Sequence, residues 1–321
     1  LMRRSDYSDV IVAAHRSEDL YAEQKVTMAD GKTGTMICEV KEVSGELREF
    51  LYYIPDSAVQ NKNGAPLITV WAGGSQTSII FMDSTCWWET ANANGVALAF
   101  AAEHYNTSVA VTPAECDACY KHMISTMKAW DEEGKFDIDF TRVYSTGQSM
   151  GSMESQQFAQ ETPEYYAAVA STSFFQAYPD TQSGKSIPTY FLNGEGNGKD
   201  DTGTAYDDRW NRTDEWHQYF LTVNGFEYQN PEYDANGNMT KLGVPISEPV
   251  KTVSGDYNRF ETYTWYDENQ VPLVQYTNSL YRPHNCLTTE IPMMWDYLEH
   301  FSSVVAEDGT VTRYYSASAF A

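Results

Sequence analysis

The chain has 321 residues, with 21 basic against 45 acidic side chains and a formal net charge of −24. A chain this acidic lacks the basic face that releases phosphate counterions, so nucleic acid is excluded as an expected partner. A hydrophobic share of 42% with 14% aromatics supplies a sizeable core and excludes disorder as the main state. No apolar run approaches the roughly 18 residues of a membrane span, the longest being Val96 to Ala102.

Residues 1–33 read as an N-terminal extension. The chain opens on Leu1-Met-Arg-Arg with no apolar stretch behind the arginines, so no secretory leader is expected in it. An acid-rich, lysine-poor composition is common on exported bacterial proteins and also occurs in the cytosol; a secreted or extracellular, bacterial-type protein is expected. From Gly34 to Val40 and from Glu46 to Pro55 the pattern is two strands joined at Ser44-Gly45, a hairpin. After Pro66 the pattern changes to short apolar runs at 67–71, 96–102, 142–146, 166–171, 188–192 and 272–277. Strands apolar on both faces must be sandwiched by helices, which predicts a mostly parallel α/β sheet.

Helices are predicted between these runs near 80–93, 113–130, 150–161 and 209–224, with a last one over 290–300. The main α/β domain is expected to span 34–301, followed by a tail over 302–321. The regularity lapses over about 198–270, an aromatic-rich segment read as a helix followed by an inserted loop or hairpin. Its aromatics either form a stacking surface for sugar or aryl groups or bury one another. Asp234 to Asn238 has a faint calcium-loop look, but its glycine is misplaced and the bidentate Glu is absent, so an Asn-Gly turn is expected. Of the five cysteines, Cys116 and Cys119 have metal or redox spacing without a second pair. They are expected to be ordinary cysteines one turn apart on a helix.

The chemistry is carried by Gly147-Gln148-Ser149-Met150-Gly151, which fits G-x-S-x-G between a predicted strand and a predicted helix. A serine hydroxyl is a weak nucleophile and must be exposed on a tight turn where a histidine can reach it. The glycines of Trp71-Ala72-Gly73-Gly74 follow the first parallel strand, so the N–H groups of Gly73 and Met150 are the expected oxyanion donors. His284 lies past the last parallel strand and before the terminal helix, where the chain order Ser, acid, His places a base. His15, His104, His122, His217 and His300 sit in less suitable positions. The acid should follow the strand ending at Leu192. Asp200 is the first choice there, with Asp201 and then Glu195 as alternatives.

At these residues the chain resembles the polyhydroxybutyrate-depolymerase-like esterases, a group that includes the feruloyl and acetylxylan esterases of carbohydrate esterase family one. The resemblance runs through Arg48 to Pro55, the glycine turn, Trp88 to Phe100, Asp139 to Gly151, His284, and Trp295 to Leu298. It implies an α/β-hydrolase fold and a serine esterase that needs no metal or organic cofactor. The implied substrates are feruloyl or acetyl esters on plant polysaccharide, with an aliphatic polyester or small ester as the alternative. Two residues depart from the family pattern: Trp71 stands where it has a histidine, and Asn197 where it has an aspartate. The first is expected to alter the pocket while leaving backbone donors in place. The second points to a non-catalytic α/β-hydrolase-like binding protein as the reading from a different class.

Overall fold

The computed structural model describes residues 20–74, 76–101, 113–194, 214–241 and 243–320. Among the described residues an eleven-stranded sheet takes its strands in the spatial order Leu20–Thr27, Thr33–Val43, Glu46–Pro55, Ala97–Ala101, Ala65–Trp71, Ile138–Gly147, Ala168–Thr172, Thr189–Gly194, Pro272–Ser279, Phe260–Tyr266 and Val250–Ser254. The predicted hairpin is β2 (Thr33–Val43) with β3 (Glu46–Pro55), paired antiparallel. The apolar runs form β4 (Ala65–Trp71), β5 (Ala97–Ala101), β6 (Ile138–Gly147), β7 (Ala168–Thr172), β8 (Thr189–Gly194) and β15 (Pro272–Ser279). These strands pair in parallel.

Period-two alternation sends successive side chains of these strands to opposite faces, and both faces are apolar because both are covered. Ile68, Val70, Leu98 and Phe100 enter one core with Trp88, Met294 and Trp295. Leu67, Trp71, Ala97 and Ala99 enter the other with Cys116, Met123, Phe158 and Trp216. The first core is covered by α1 (Ser78–Thr85), α2 (Trp87–Asn94) and α6 (Glu290–Leu298). The second is covered by α3 (Pro113–Glu132), α4 (Met150–Glu161) and α5 (Asp214–Val223). A mixed sheet with a parallel centre, an antiparallel N-terminal flank and helices on both faces is the α/β-hydrolase fold.

Three features differ from the sequence expectation. The predicted helix over 80–93 is two helices, because Cys86 takes φ +58° and ψ +32°, ending α1 and starting α2 at a new angle. The sheet begins at β1 (Leu20–Thr27), inside the segment read as an extension, which pairs along β2. The tail contributes β17 (Val311–Tyr315), paired with β16 (Phe301–Val305). Tyr144 anchors this hairpin by donating to the Phe301 carbonyl at 2.6 Å.

The aromatic-rich segment, read as a helix followed by an inserted loop or hairpin, carries α5 and then antiparallel strand pairs, the last of which extends the sheet. Its earlier part forms the short strands β9 (Tyr228–Gln229), β10 (Glu232–Tyr233), β11 (Met239–Lys241) and β12 (Val244–Pro245), and its later part β13 (Val250–Ser254) and β14 (Phe260–Tyr266), paired antiparallel beyond β15. Trp216, Phe220, Tyr263 and Trp265 are buried together, so these four serve the core rather than a stacking surface. Within that segment Asp234 folds its carboxylate back onto the Asn236 and Asn238 amides, with Gly237 at φ +82° in the turn. Cys116 and Cys119 lie buried on α3. Desolvation pushes the Cys116 thiol well above its ordinary value and that of Cys119 up to about 12.

Candidate active site

Strand β6 ends at Gly147 and α4 begins at Met150, leaving Gln148 and Ser149 to reverse the chain. Ser149 sits at φ +58°, ψ −118°, a strained backbone for a residue with a side chain. Two glycines make the turn possible. A β-carbon on Gly147 would overlap the Gly151 carbonyl, and one on Gly151 would overlap the carbonyl of Trp71 at the end of β4. The strain is held by neighbours: the Ser149 N–H donates to the Thr172 carbonyl at 3.2 Å, and the Met153 N–H donates to the Ser149 carbonyl at 3.0 Å.

His284 Nε2 lies 2.8 Å from Ser149 Oγ, although the two are 135 positions apart in sequence. Parallel pairing of β15 with β8 brings the C-terminal end of β15 to the same sheet edge as the end of β6, and the loop after β15 returns over that edge. In this arrangement Ser149 can donate its proton to the imidazole as its oxygen attacks a carbonyl. The other described histidines are engaged elsewhere. His122 Nε2 lies 2.8 Å from Glu39 Oε2, and His300 Nδ1 lies 2.6 Å from the Ser316 carbonyl. His217 is buried beside Trp216, Trp265 and Tyr276. His15 and His104 lie outside the described residues, as do the three acid candidates Asp200, Asp201 and Glu195.

Gly73 lies close to Gln148, as the two elbows meet. Its N–H donates to the side-chain oxygen of Gln76 at 3.2 Å, within its own loop. Met150 is the first residue of α4, where an amide has no intrahelical acceptor and the helix dipole favours negative charge. Trp71 does not alter a pocket as expected: it is buried against Phe158 of α4, with ring centroids 5.1 Å apart, and fills the core between β4 and α4.

Beneath the histidine loop is a polar cluster that sequence reasoning missed. Arg282 and Glu290 form an ion pair at 2.7 Å with both side chains fully buried. Glu290 also accepts from Ser279 Oγ at 2.7 Å and from the Leu287 N–H at 3.0 Å, tying both ends of the loop together. Desolvation and the adjacent Glu290 push the Cys286 thiol well above its ordinary value, which keeps it protonated and a poor nucleophile. No periodicity marks these residues, and the only signal was an arginine two positions before the candidate histidine.

Fold and site together give an α/β-hydrolase fold in which a serine on a strand–turn–helix elbow meets a histidine from the loop after β15. No protein-family model and no curated protein matches the sequence. Among solved structures the chain is similar to an acetyl xylan esterase from Aspergillus awamori, at 14% identity over 77% of this chain and 93% of that one, with a TM-score of 0.48. It is also similar to a glucuronoyl esterase from Solibacter usitatus, at 11% identity over 92% of this chain and 88% of that one, with a TM-score of 0.48. A third is an S-formylglutathione hydrolase from Agrobacterium tumefaciens, at 13% identity over 57% and 81%, with a TM-score of 0.42.

Proposed function

We propose that the protein is a serine carboxylic ester hydrolase. The observation that carries this is the 2.8 Å contact between His284 Nε2 and the oxygen of Ser149, a serine held at positive φ between a strand and a helix. His284 takes the hydroxyl proton as Ser149 Oγ bonds to the ester carbonyl carbon. The resulting oxyanion is held by the N–H groups of Gly73 and Met150, the carbonyl oxygen taking the place of the Gln76 amide oxygen. Collapse breaks the carbon–oxygen bond to the alcohol, which leaves with the proton from His284. Water then repeats the sequence on the acyl-enzyme and frees the acid and Ser149. Asp200, with Asp201 and Glu195 as alternatives, orients the imidazole. No cofactor is needed for these steps.

The substrates we propose are esters carried on a polysaccharide, feruloyl or acetyl esters before aliphatic polyesters, met outside the cell. Two exposed aromatics support a polymeric partner. Tyr281, just past β15, and Tyr257, just before β14, stand at the sheet edge that carries His284, because Phe260 pairs with Ser279. They are 69% and 93% exposed, and both are held at positive φ, +59° and +58°. An aromatic presented to solvent on unfavourable backbone is suited to stacking on a sugar ring or an aryl ester.

The test is hydrolysis of nitrophenyl acetate and fluorophosphonate labelling by the parent protein, Ser149→Ala and His284→Ala. Loss of labelling at residue 149, with hydrolysis reduced by about 10⁶ in a folded Ser149→Ala protein, is expected. Near-parental turnover in that variant would overturn the mechanism. A parent that never labels would favour the non-catalytic binding protein.

A further inference from the structure

We infer that Arg282, with Thr172 and Ser173 at the end of β7, is the positioning device that sets the separation of Ser149 and His284; this rests on the nucleophile–base reading above. Tyr281, Pro283, His284 and Asn285 are exposed, and Arg282 alone among 281–285 is buried.

The guanidinium grips the backbone on both sides of the histidine. Nη1 donates to the Pro283 carbonyl at 3.2 Å and to the Asn285 carbonyl, the two neighbours of His284, and to Ser173 Oγ at 2.8 Å. Ser173 Oγ in turn donates to that same Asn285 carbonyl. Nη2 donates to Thr172 Oγ1 at 3.1 Å, and Nε faces Glu290 Oε1 at 2.7 Å.

Thr172 therefore serves both halves of the pair. Its carbonyl accepts the Ser149 N–H at 3.2 Å, and its hydroxyl accepts from Arg282. One residue thus holds the nucleophile through its backbone and the histidine loop through its side chain. Ser173, held at φ +83°, turns the chain so that its hydroxyl meets the same guanidinium. The end of β8 backs the loop directly, since a β-carbon on Gly194 would overlap the Arg282 carbonyl. Glu290 supplies the charge that lets the arginine stay buried, an arrangement that fixes geometry more than it adds stability.

The experiment compares Thr172→Val, Ser173→Ala, Arg282→Met and Arg282→Lys with the parent, reading kcat and KM on nitrophenyl acetate and the rate of fluorophosphonate labelling, alongside melting. Thr172→Val is nearly isosteric, keeps the carbonyl that holds Ser149, and removes only the hydroxyl. A displacement of about 1 Å between nucleophile and base costs on the order of 100-fold. Arg282→Met is therefore expected to lower kcat by about 10- to 100-fold with KM within about twofold, and Thr172→Val by about 5- to 10-fold. Labelling should slow in proportion. Arg282→Lys should recover part of the loss, and Thr172→Val should cost little more when added to Arg282→Met, because both act through one contact.

Folded variants whose kcat stays within twofold of the parent would overturn the inference. So would losses that follow the melting temperature and appear equally in KM, the mark of a purely structural role. If Arg282→Met does not fold, Thr172→Val and Ser173→Ala decide the matter. A parent without Ser149-dependent hydrolysis would overturn the hydrolase reading itself and this inference with it, whereas an active parent with unaffected variants overturns the inference alone.

Discussion

Gly151 faces the carbonyl of Trp71 so closely that a β-carbon at position 151 would overlap that oxygen. The contact joins the first turn of α4 to the end of β4, and so joins the nucleophile elbow to the loop that carries Gly73. A helix can approach a strand end this closely only where it has no side chain.

Gly151→Ala should therefore displace the elbow rather than merely crowd it, because the obstructing atom is backbone. We expect hydrolysis reduced by at least about 100-fold and a melting temperature lowered by several degrees, since overpacking of this kind costs about 1–3 kcal/mol or more. Steady-state kinetics and thermal melting check it. Parental kinetics in the alanine variant would show that the two elbows can separate without consequence.

The acid is assigned by exchange. Asp200→Asn should lower kcat by roughly 10⁴ in a folded protein in which Ser149 still labels, because a neutral partner leaves the imidazole poorly oriented. Asp201→Asn and Glu195→Gln should each cost less than about tenfold if they are solvated loop charges. A large loss in one of these with little loss at Asp200 transfers the role to that residue. Small losses in all three point to Asn197 as a neutral partner of His284.

The Gly73 N–H donates to the Gln76 side-chain oxygen, and if Gly73 is an oxyanion donor as proposed, substrate must displace that glutamine. A hydrogen bond of this kind contributes a net of about 0.5–1.5 kcal/mol. Gln76→Ala should therefore raise kcat/KM on nitrophenyl acetate by about 2- to 10-fold. A tenfold fall instead would mean that the glutamine holds the loop in its working shape and is not a competitor.

Alkaline pH should destabilise the fold through its buried thiols. Cys119 is raised from 9.0 to about 12, and Cys116 is raised well above 9.0, in both cases chiefly by desolvation. Between pH 9 and pH 12 the unfolded chain loses these protons while the folded one keeps them. Stability is thus fully present below about pH 9 and falls as pH rises, by up to about 1.4 kcal/mol per pH unit for each such thiol. Denaturant melts at pH 8, 9.5 and 10.5 measure it, and a double Cys116→Ala, Cys119→Ala variant should show a shallower decline. An equal decline in that variant would assign the effect to other groups.

The sequence by itself determined what is local or repeats along the chain. The runs that became β4 to β8 and β15 declared themselves because strands buried on both faces read as unbroken apolar stretches. The elbow declared itself because glycines must flank a serine turned at positive φ, and their need is written into five consecutive residues. What the sequence could not fix was set by partners far away in the chain. Cys86 ends one helix and begins another through a left-handed backbone that nothing in its side chain requires. Leu20–Thr27 and Val250–Ser254 are sheet strands only because β2 and β14 offer them unpaired edges. The aromatics at 216, 220, 263 and 265 could as readily have faced a ligand as one another, and only packing sent them inward. Arg282, Thr172 and Glu290 likewise carry no motif. Their meaning arises where three chain segments converge under His284, since a buried charge can be placed only where the fold supplies every one of its partners.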